Sequence, residues 1–242
     1  THDFGVVAEV AHRVVVMQSG RVVEMGTRED ILRRPQSDYT RMLIGSVPAL
    51  KPPARATAGD AAPVVLAARS LSKTYHDRGW FARRRDVPAA ADVSFEVRKG
   101  QTLGIVGESG SGKTTVARCI VRLIDPSSGE VLLHGTDIAG LRAGALRPLR
   151  RKIQIVFQDP YRSLNPRRSV LEAIIEGPRN YGVSRADAVE RARKLMELVR
   201  MDPESLGRYP HQFSGGQRQR ICIARALAME PELLIADEAV SA

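Results

Sequence analysis

The chain is poor in aromatic residues and cysteines. Only 5% of its 242 residues are Phe, Trp or Tyr, so the stacking platforms used to bind single-stranded nucleic acid are scarce. The two cysteines, Cys119 and Cys222, lie in apolar, helix-like stretches without metal-ligand spacing. This pattern implies no metal–thiolate site and favours small core residues in a reducing compartment.

Two further patterns are missing from the sequence. It has no uninterrupted apolar run near 18 residues and no signal-peptide pattern at its start. We therefore expect that the chain itself neither crosses a membrane nor is exported by that route. Any membrane role would go through a partner.

Positive charge is abundant but scattered. The net charge is +10 and the pI is near 10.2, which would suit a nucleic-acid partner if the basic residues were clustered. Instead they form short groups along the chain: Arg83–Arg85, Arg150–Lys152, Arg167–Arg168, Arg218 and Arg220. We favour a basic surface that faces acidic lipid or partner loops, and we expect no nucleic-acid partner.

The first 47 residues predict a β-hairpin followed by two short helices. Two β-branched runs, Val14–Val16 and Val22–Val23, flank a Ser-Gly turn. Thr27 opens the first helix, and Pro35–Asp38 opens a second helix that runs through Leu43. Residues 48–63 are rich in Pro and Ala and lack an apolar period, which predicts a linker.

Residues 64–242 predict a larger second domain. Its first part is expected to contain a strand, an exposed basic loop and two more strands, in the order Val64–Leu66, Arg78–Asp86, Val93–Val97 and Thr102–Val106. The last of these strands leads into a stretch that matches G-x-x-x-x-G-K-[ST] at every fixed position: Gly107, Glu108, Ser109, Gly110, Ser111, Gly112, Lys113 and Thr114.

This stretch predicts a phosphate-binding loop for ATP. Its glycines let backbone N–H groups surround the phosphates, Lys113 brings a positive charge to the β and γ groups, and Thr114 offers a hydroxyl to Mg²⁺. A helix over Val116–Leu123 would point its positive N-terminus at the anion. A glycine-rich turn without a ligand is the alternative, and the strand, loop and helix in register argue against it.

Two later segments complete the pattern. Glu232–Glu238 predicts a buried parallel strand with an acidic end, where Asp237 would hold the Mg²⁺ shell and Glu238 would polarise an attacking water. A second predicted helix, which runs to Met229, begins at the turn Ser214, Gly215, Gly216 and Gln217. Its first turn would be a second helix start that faces an anion. One ATP does not need both starts, so the second would serve a nucleotide held by another subunit; a capped helix on a tight glycine turn is the alternative.

With these motifs the chain resembles the ATP-binding cassette ATPases, and most closely the branch that imports dipeptides, oligopeptides or glutathione. The resemblance covers essentially the whole chain and includes these further segments: Ile153–Pro160, Ser163–Pro166, Tyr209–Phe213 and Asp237–Ala242. It implies an α/β P-loop NTPase fold, with a mixed sheet core and an inserted α-helical subdomain at about residues 165–229. ATP and Mg²⁺ are the implied cofactors.

The resemblance also implies roles for individual residues. Tyr75 would stack on adenine, Thr115 would contact the α-phosphate, and Gln158 would touch Mg²⁺ and water. Glu238 would be the hydrolytic base, and the surface near Tyr161–Glu172 would receive a coupling helix from the membrane subunits. His211 is interpreted as structural.

One departure from the family pattern changes the interpretation of the chain. The family's switch histidine follows the acidic strand, yet the only Thr-His-Asp sequence here is at the start, with His2. Residues 1–47 are therefore interpreted as the C-terminal tail of a first cassette, and residues 64–242 as a second cassette that stops shortly after the acidic strand. The chain is then an internal slice of a tandem ATPase.

An internal slice of this kind would have only part of the ATP machinery. It should bind ATP·Mg²⁺ weakly and hydrolyse it negligibly, because the γ-phosphate pocket is split between two cassettes. The hairpin Val14–Val23 is expected to dock on the exposed edge of the second cassette. The implied partners are the other cassette, membrane permease subunits and, indirectly, an extracytoplasmic solute-binding protein, with a peripheral location on the cytoplasmic face of the inner membrane.

Two other functional classes stay open from the residues alone. One is a soluble cassette ATPase that acts on nucleic acid in translation or repair, and the other is an interaction fragment without catalysis. Within the importer class, the sequence leaves dipeptide, longer peptide, glutathione and nickel as open substrates.

Overall fold

A computed structural model describes the chain in four stretches, residues 4–18, 20–45, 61–77 and 85–239. The chain divides into two compact units, Thr1–Ala56 and Thr57–Ala242, and each is described by itself. No helix in these four stretches is both long and apolar enough to cross a membrane. His2 and most of the predicted linker lie outside the described residues.

The first unit is a hairpin with short helices, as predicted. It contains the helices α1 (Phe4–Val10), α2 (Arg28–Arg33) and α3 (Asp38–Gly45) and the antiparallel strands β1 (Arg13–Gln18) and β2 (Arg21–Thr27). The Thr27 side chain caps α2 by accepting a hydrogen bond from the Asp30 N–H at 3.2 Å. Val16 on β1 and Ile31 on α2 are buried and form the small core of this unit.

The second unit begins with an antiparallel four-stranded sheet. Its strands follow the spatial order β4-β3-β5-β6, and their ranges are β3 (Val64–Asp77), β4 (Arg85–Arg98), β5 (Ser128–Leu133) and β6 (Thr136–Asp137). Helices α4 (Lys113–Ile120) and α5 (Ala143–Lys152) belong to the same region. One core cluster joins α4 and α5 to this sheet and includes Leu66, Leu71, Cys119, Val131 and Leu146.

A parallel strand pair and a group of helices complete the second unit. Strand β7 (Ile153–Val156) pairs with β8 (Leu233–Ala236), so that Ile153 lies beside Leu233. Between these strands the chain forms α6 (Pro160–Ser163), α7 (Val170–Asn180), α8 (Arg185–Leu198) and α9 (Gly215–Leu227). The helices share a second core cluster that includes Ile174, Ala192, Met196, Ile221 and Cys222.

Both cysteines are buried core residues, as the sequence predicts. The relative exposure of Cys119 is 0% and that of Cys222 is 1%. Burial raises the pKa of both thiols, which keeps them protonated and unreactive at neutral pH.

The predicted strand Thr102–Val106 is wrong. These residues form no strand, and Val106 is 96% exposed. An apolar run predicts an extended segment, but a strand also needs backbone partners in register. Here Leu103 and Ile105 line a cavity of about 300 Å³ together with Leu234 of β8, so the segment shares a cavity with β8 but does not pair with it.

Two smaller boundary predictions also need correction. Arg85 and Asp86 belong to β4 rather than to an exposed loop, because they pair with Asp77 and His76 of β3. Helix α4 ends at Ile120 rather than Leu123, since Arg122 has a φ of 54°, which an α-helix does not accommodate.

Candidate nucleotide site

The predicted phosphate-binding loop leads directly into helix α4. Gly112 is the N-cap of α4 with a φ of 95°, and Gly110 has a φ of 84°, both in the left-handed region that favours glycine. A Cβ on Gly112 would lie 2.1 Å from the backbone oxygen of Ala89 on β4. Only glycine therefore fits at this position, and the loop lies against the β3–β4 hairpin.

The Lys113 side chain curls over its own loop. Its Nζ donates hydrogen bonds to the backbone oxygens of Gly107 at 2.7 Å and Glu108 at 2.8 Å. The ammonium group and the first N–H groups of α4 thus lie on one short loop. Together they form a site suited to a negatively charged group such as a phosphate.

Asp237 lies at the carboxyl end of β8 and faces α4. Its N–H extends the pairing with β7 by bonding the Val156 oxygen at 2.9 Å, and the residue is only 8% exposed. Its Oδ1 accepts a hydrogen bond from the Thr114 hydroxyl at 2.9 Å, which joins residues 123 positions apart in the sequence. A buried carboxylate beside a hydroxyl is an all-oxygen donor set, which fits a hard cation such as Mg²⁺.

Gln158 and Glu238 meet next to this pair. Gln158 Nε2 donates to Glu238 Oε2 at 2.6 Å, although the two residues are 80 positions apart in the sequence. Glu238 has a φ of 50°, in the left-handed region. The Gln158 amide therefore orients the Glu238 carboxylate, one residue beyond Asp237. The site thus contains two carboxylates: the buried Asp237 and the Glu238 that Gln158 orients.

Two further predicted residues flank the loop. Tyr75 on β3 is 42% exposed, and the Lys73 ammonium lies 5.3 Å from the centre of its ring. Ala89, which touches Gly112, lies on β4 in the stretch paired with Lys73 and Thr74. Thr115 lies in the first turn of α4, directly after Thr114.

The Ser214–Gln217 turn is a helix start of a different kind. Ser214 Oγ accepts from the Gln217 N–H at 3.3 Å, and the Ser214 N–H donates back to Gln217 Oε1 at 3.0 Å. These reciprocal bonds form a capping box at the start of α9. Within the described stretches no hydrogen bond joins this turn to the phosphate-binding loop, so the two anion-facing starts are separate.

Sequence reasoning missed three residues of α9 that contact the segment after β7. The Arg218 guanidinium lies 4.1 Å from the centre of the Tyr161 ring, and Arg225 donates to the Ser163 oxygen. Gln219 is 5% exposed and donates to backbone oxygens on two segments. Its spacing of three and seven residues from the buried Cys222 and Ala226 was the available signal, since residues so spaced share a helix face.

The fold and the site together define an ATP-binding cassette of the P-loop class. Residues 90–241 match the ABC transporter family, and residues 23–85 match the C-terminal region of oligopeptide/dipeptide transporters. The chain belongs to the ABC transporter family. Its resemblance to the peptide and glutathione import branch is confirmed by the second match and by the relatives below.

Curated relatives align with the whole chain. The glutathione import ATP-binding proteins GsiA of Shigella dysenteriae serotype 1 and Escherichia coli K12 are each 46% identical over 269 aligned positions, which cover 100% of this chain and 43% of each relative. The chain therefore spans less than half the length of these relatives.

Solved structures confirm the α/β cassette fold. The dimeric ATP-binding cassette MJ0796, bound to ADP and Pi in a post-hydrolysis state, is similar with a TM-score of 0.66 and 30% identity over 73% of this chain and 75% of that one. The cbiO1 cassette of Clostridium perfringens has a TM-score of 0.60 and 26% identity over 72% and 65% of the two chains.

Proposed function

We propose that this chain is part of the ATP-binding subunit of an importer for glutathione or short peptides, with each ATP held between two cassettes. The order of the two family matches carries the proposal. A transporter C-terminal region at residues 23–85 precedes the cassette match at residues 90–241. A C-terminal region that comes before a cassette supports the proposal of two cassettes in one protein.

The proposed organisation follows from this order. Residues 1–47 are the tail of a first cassette, residues 48–63 are the linker, and residues 64–242 are most of a second cassette. The helical subdomain of the second cassette spans about residues 165–229. Helices α7, α8 and α9 and their shared core support this last assignment.

The proposed ATP site uses the residues around α4. The backbone of the Gly107–Gly112 loop and the Lys113 ammonium hold the phosphates, while Thr115 contacts the α-phosphate and Tyr75 stacks on adenine. Thr114, Gln158 and Asp237 hold Mg²⁺. When bound, Mg²⁺ neutralises charge that develops on the β and γ phosphates.

Glu238 is the proposed catalytic base. Its carboxylate accepts the proton of the attacking water, and the 2.6 Å hydrogen bond from Gln158 fixes the direction in which it points. Gln158 also links the helical subdomain to the core, since it lies between β7 and α6.

The remaining parts of the machinery act across the dimer. Ser214, Gly215, Gly216 and Gln217 face the ATP held by the partner cassette, and His2 is the switch histidine of the first cassette. The 242-residue chain is therefore expected to turn over negligibly. Steady ATP hydrolysis by this chain that Glu238→Gln abolishes would contradict that expectation.

The proposed partners are the other cassette, membrane permease subunits and, indirectly, an extracytoplasmic solute-binding protein. The subunit then lies on the cytoplasmic face of the inner membrane. Its net charge of +10 suits a surface rich in anionic lipid.

Reconstitution tests the proposal. The full-length protein is placed with its permease in proteoliposomes, and ATP hydrolysis is measured with glutathione or dipeptides and the solute-binding protein. We expect hydrolysis that the substrate stimulates and that Glu238→Gln removes. Hydrolysis that ignores the permease and responds to RNA or DNA with a steep salt dependence would favour the nucleic-acid class instead.

A further inference from the structure

Gln219 lies where three segments of the site meet. Its Nε2 donates to the backbone oxygen of Ala239 at 2.9 Å and to that of Phe157 at 3.3 Å. Ala239 directly follows Glu238, and Phe157 directly precedes Gln158. Because both partners are acceptors, the nitrogen of the side-chain amide must face them.

We propose that Gln219 is a positioning residue for ATP hydrolysis, which fixes Glu238 relative to Gln158 and links both to helix α9. The inference rests on the proposed function. The contacts form a closed ring. Gln219 binds the backbone oxygens of Phe157, which precedes Gln158, and of Ala239, which follows Glu238. The hydrogen bond between the Gln158 and Glu238 side chains closes the ring.

A purely stabilising role does not explain the choice of this residue. Gln219 is 5% exposed, and its Oε1 has no hydrogen-bond partner among the described residues. A buried acceptor without a partner lowers the stability of the folded state. The amide therefore carries a stability cost at its oxygen end while its nitrogen end joins two segments of the site.

Helix α9 does not depend on Gln219 to stay attached to the segment after β7. Arg218 stacks on Tyr161, and Arg225 donates to the Ser163 oxygen, so two other contacts hold the helix there. Only Gln219 of these three also reaches Ala239. Loss of its amide should therefore free the backbone beside Glu238 while α9 stays in place.

The test uses the full-length protein with its permease. Gln219→Met keeps the length of the side chain and removes the donor. We expect kcat for ATP hydrolysis to fall by about tenfold or more while the KM for ATP changes by less than about threefold, the pattern of an interaction that matters in the transition state. Binding of a fluorescent ATP analogue should also stay within about threefold of the unmodified protein.

Gln154→Leu is the matched control. The Gln154 side chain likewise donates to a backbone oxygen, that of Arg150, but Gln154 lies on β7 beside Leu234 and has no hydrogen bond to the segments that flank Glu238 and Gln158 among the described contacts. Its kcat should stay unchanged. An unchanged kcat in Gln219→Met, or a fall in ATP binding that matches the fall in kcat, would overturn the inference.

If Gln219→Met does not fold, a second variant still tests whether Gln219 positions Glu238. Gln219→Asn retains the amide on a shorter side chain that cannot reach both oxygens, so its kcat should also fall, and a normal kcat would overturn the inference. The proposed function fails separately: in that case the unmodified protein shows no hydrolysis that Glu238→Gln removes.

Discussion

The two anion-facing helix starts of the second unit contain similar residues but are built in opposite ways. Helix α4 has the left-handed Gly112 as its N-cap and no side-chain capping bond, and Lys113 bonds the loop oxygens instead. Helix α9 has Ser214 as its N-cap, and Ser214 and Gln217 satisfy each other's N–H groups.

Because of this difference, the N–H groups at the start of α4 need a bound ligand as their partner, whereas those at the start of α9 do not. The first N–H groups of a helix have no partner within the helix. At α9 a side chain supplies a partner, so the turn keeps its shape by itself. At α4 a bound anion would supply the partner for the N–H groups. We therefore expect the phosphate-binding loop to be stabilised mainly by nucleotide.

Of the variants that test this difference between α4 and α9, Lys113→Ala should have the largest effect, and the effect should be on ATP·Mg²⁺ binding. In the 242-residue chain we expect ATP·Mg²⁺ binding to weaken by about 10- to 100-fold, because a hydrogen bond to a charged group contributes about 1.5–3 kcal/mol. Titration calorimetry measures the change. Ser214→Ala in the same chain should bind within about twofold of the unmodified chain, and equal losses in the two variants would remove the distinction.

Gly112→Ala should destabilise the second unit by more than about 2 kcal/mol. The left-handed conformation costs about 1–2 kcal/mol for a residue with a Cβ, and this Cβ would also collide with the Ala89 oxygen. Gly182→Ala is the control, because Gly182 has a φ of 87° and open space around it. Urea unfolding compares the two, and equal losses would show that the Ala89 contact imposes no constraint.

Ser214→Ala should lower the free energy of unfolding by about 1 kcal/mol, the usual effect of removing an N-cap side chain. Hydrogen exchange should locate the change in the first turn of α9. Saturating ATP·Mg²⁺ should not restore protection there in the 242-residue chain, since the lost bond is internal to the helix. Full restoration by nucleotide would mean that both starts depend on ligand.

Glu232→Gln should have the smallest effect and tests the other end of β8. Hydrogen bonds from Lys152 and then His134 hold the pKa of Glu232 below its ordinary 4.5. A lowered folded-state pKa adds stability above pH 4.5, and that stability is lost as the pH falls through the folded-state value. Because Glu232 is partly exposed, we expect less than about 1 kcal/mol at pH 7 and a difference that shrinks as the pH falls through the folded-state pKa, measured by urea unfolding.

The sequence predicts best those elements that short local patterns determine. The Val14–Val23 hairpin, the Thr27 cap and strand β8 follow from alternation, capping chemistry and an apolar run. The Thr102–Val106 strand failed because pairing depends on a distant partner. Gln219 was missed because its two partners lie 62 and 20 positions away in the sequence.

The pairing of β7 with β8 has a consequence for synthesis of the chain. Ile153 lies beside Leu233, so this pair can form only after the whole helical region has been made. Contacts over such separations form slowly, whereas helices α7 to α9 share local contacts and their own core. On the ribosome the helical region can therefore pack first, and the residues of the nucleotide site come together last.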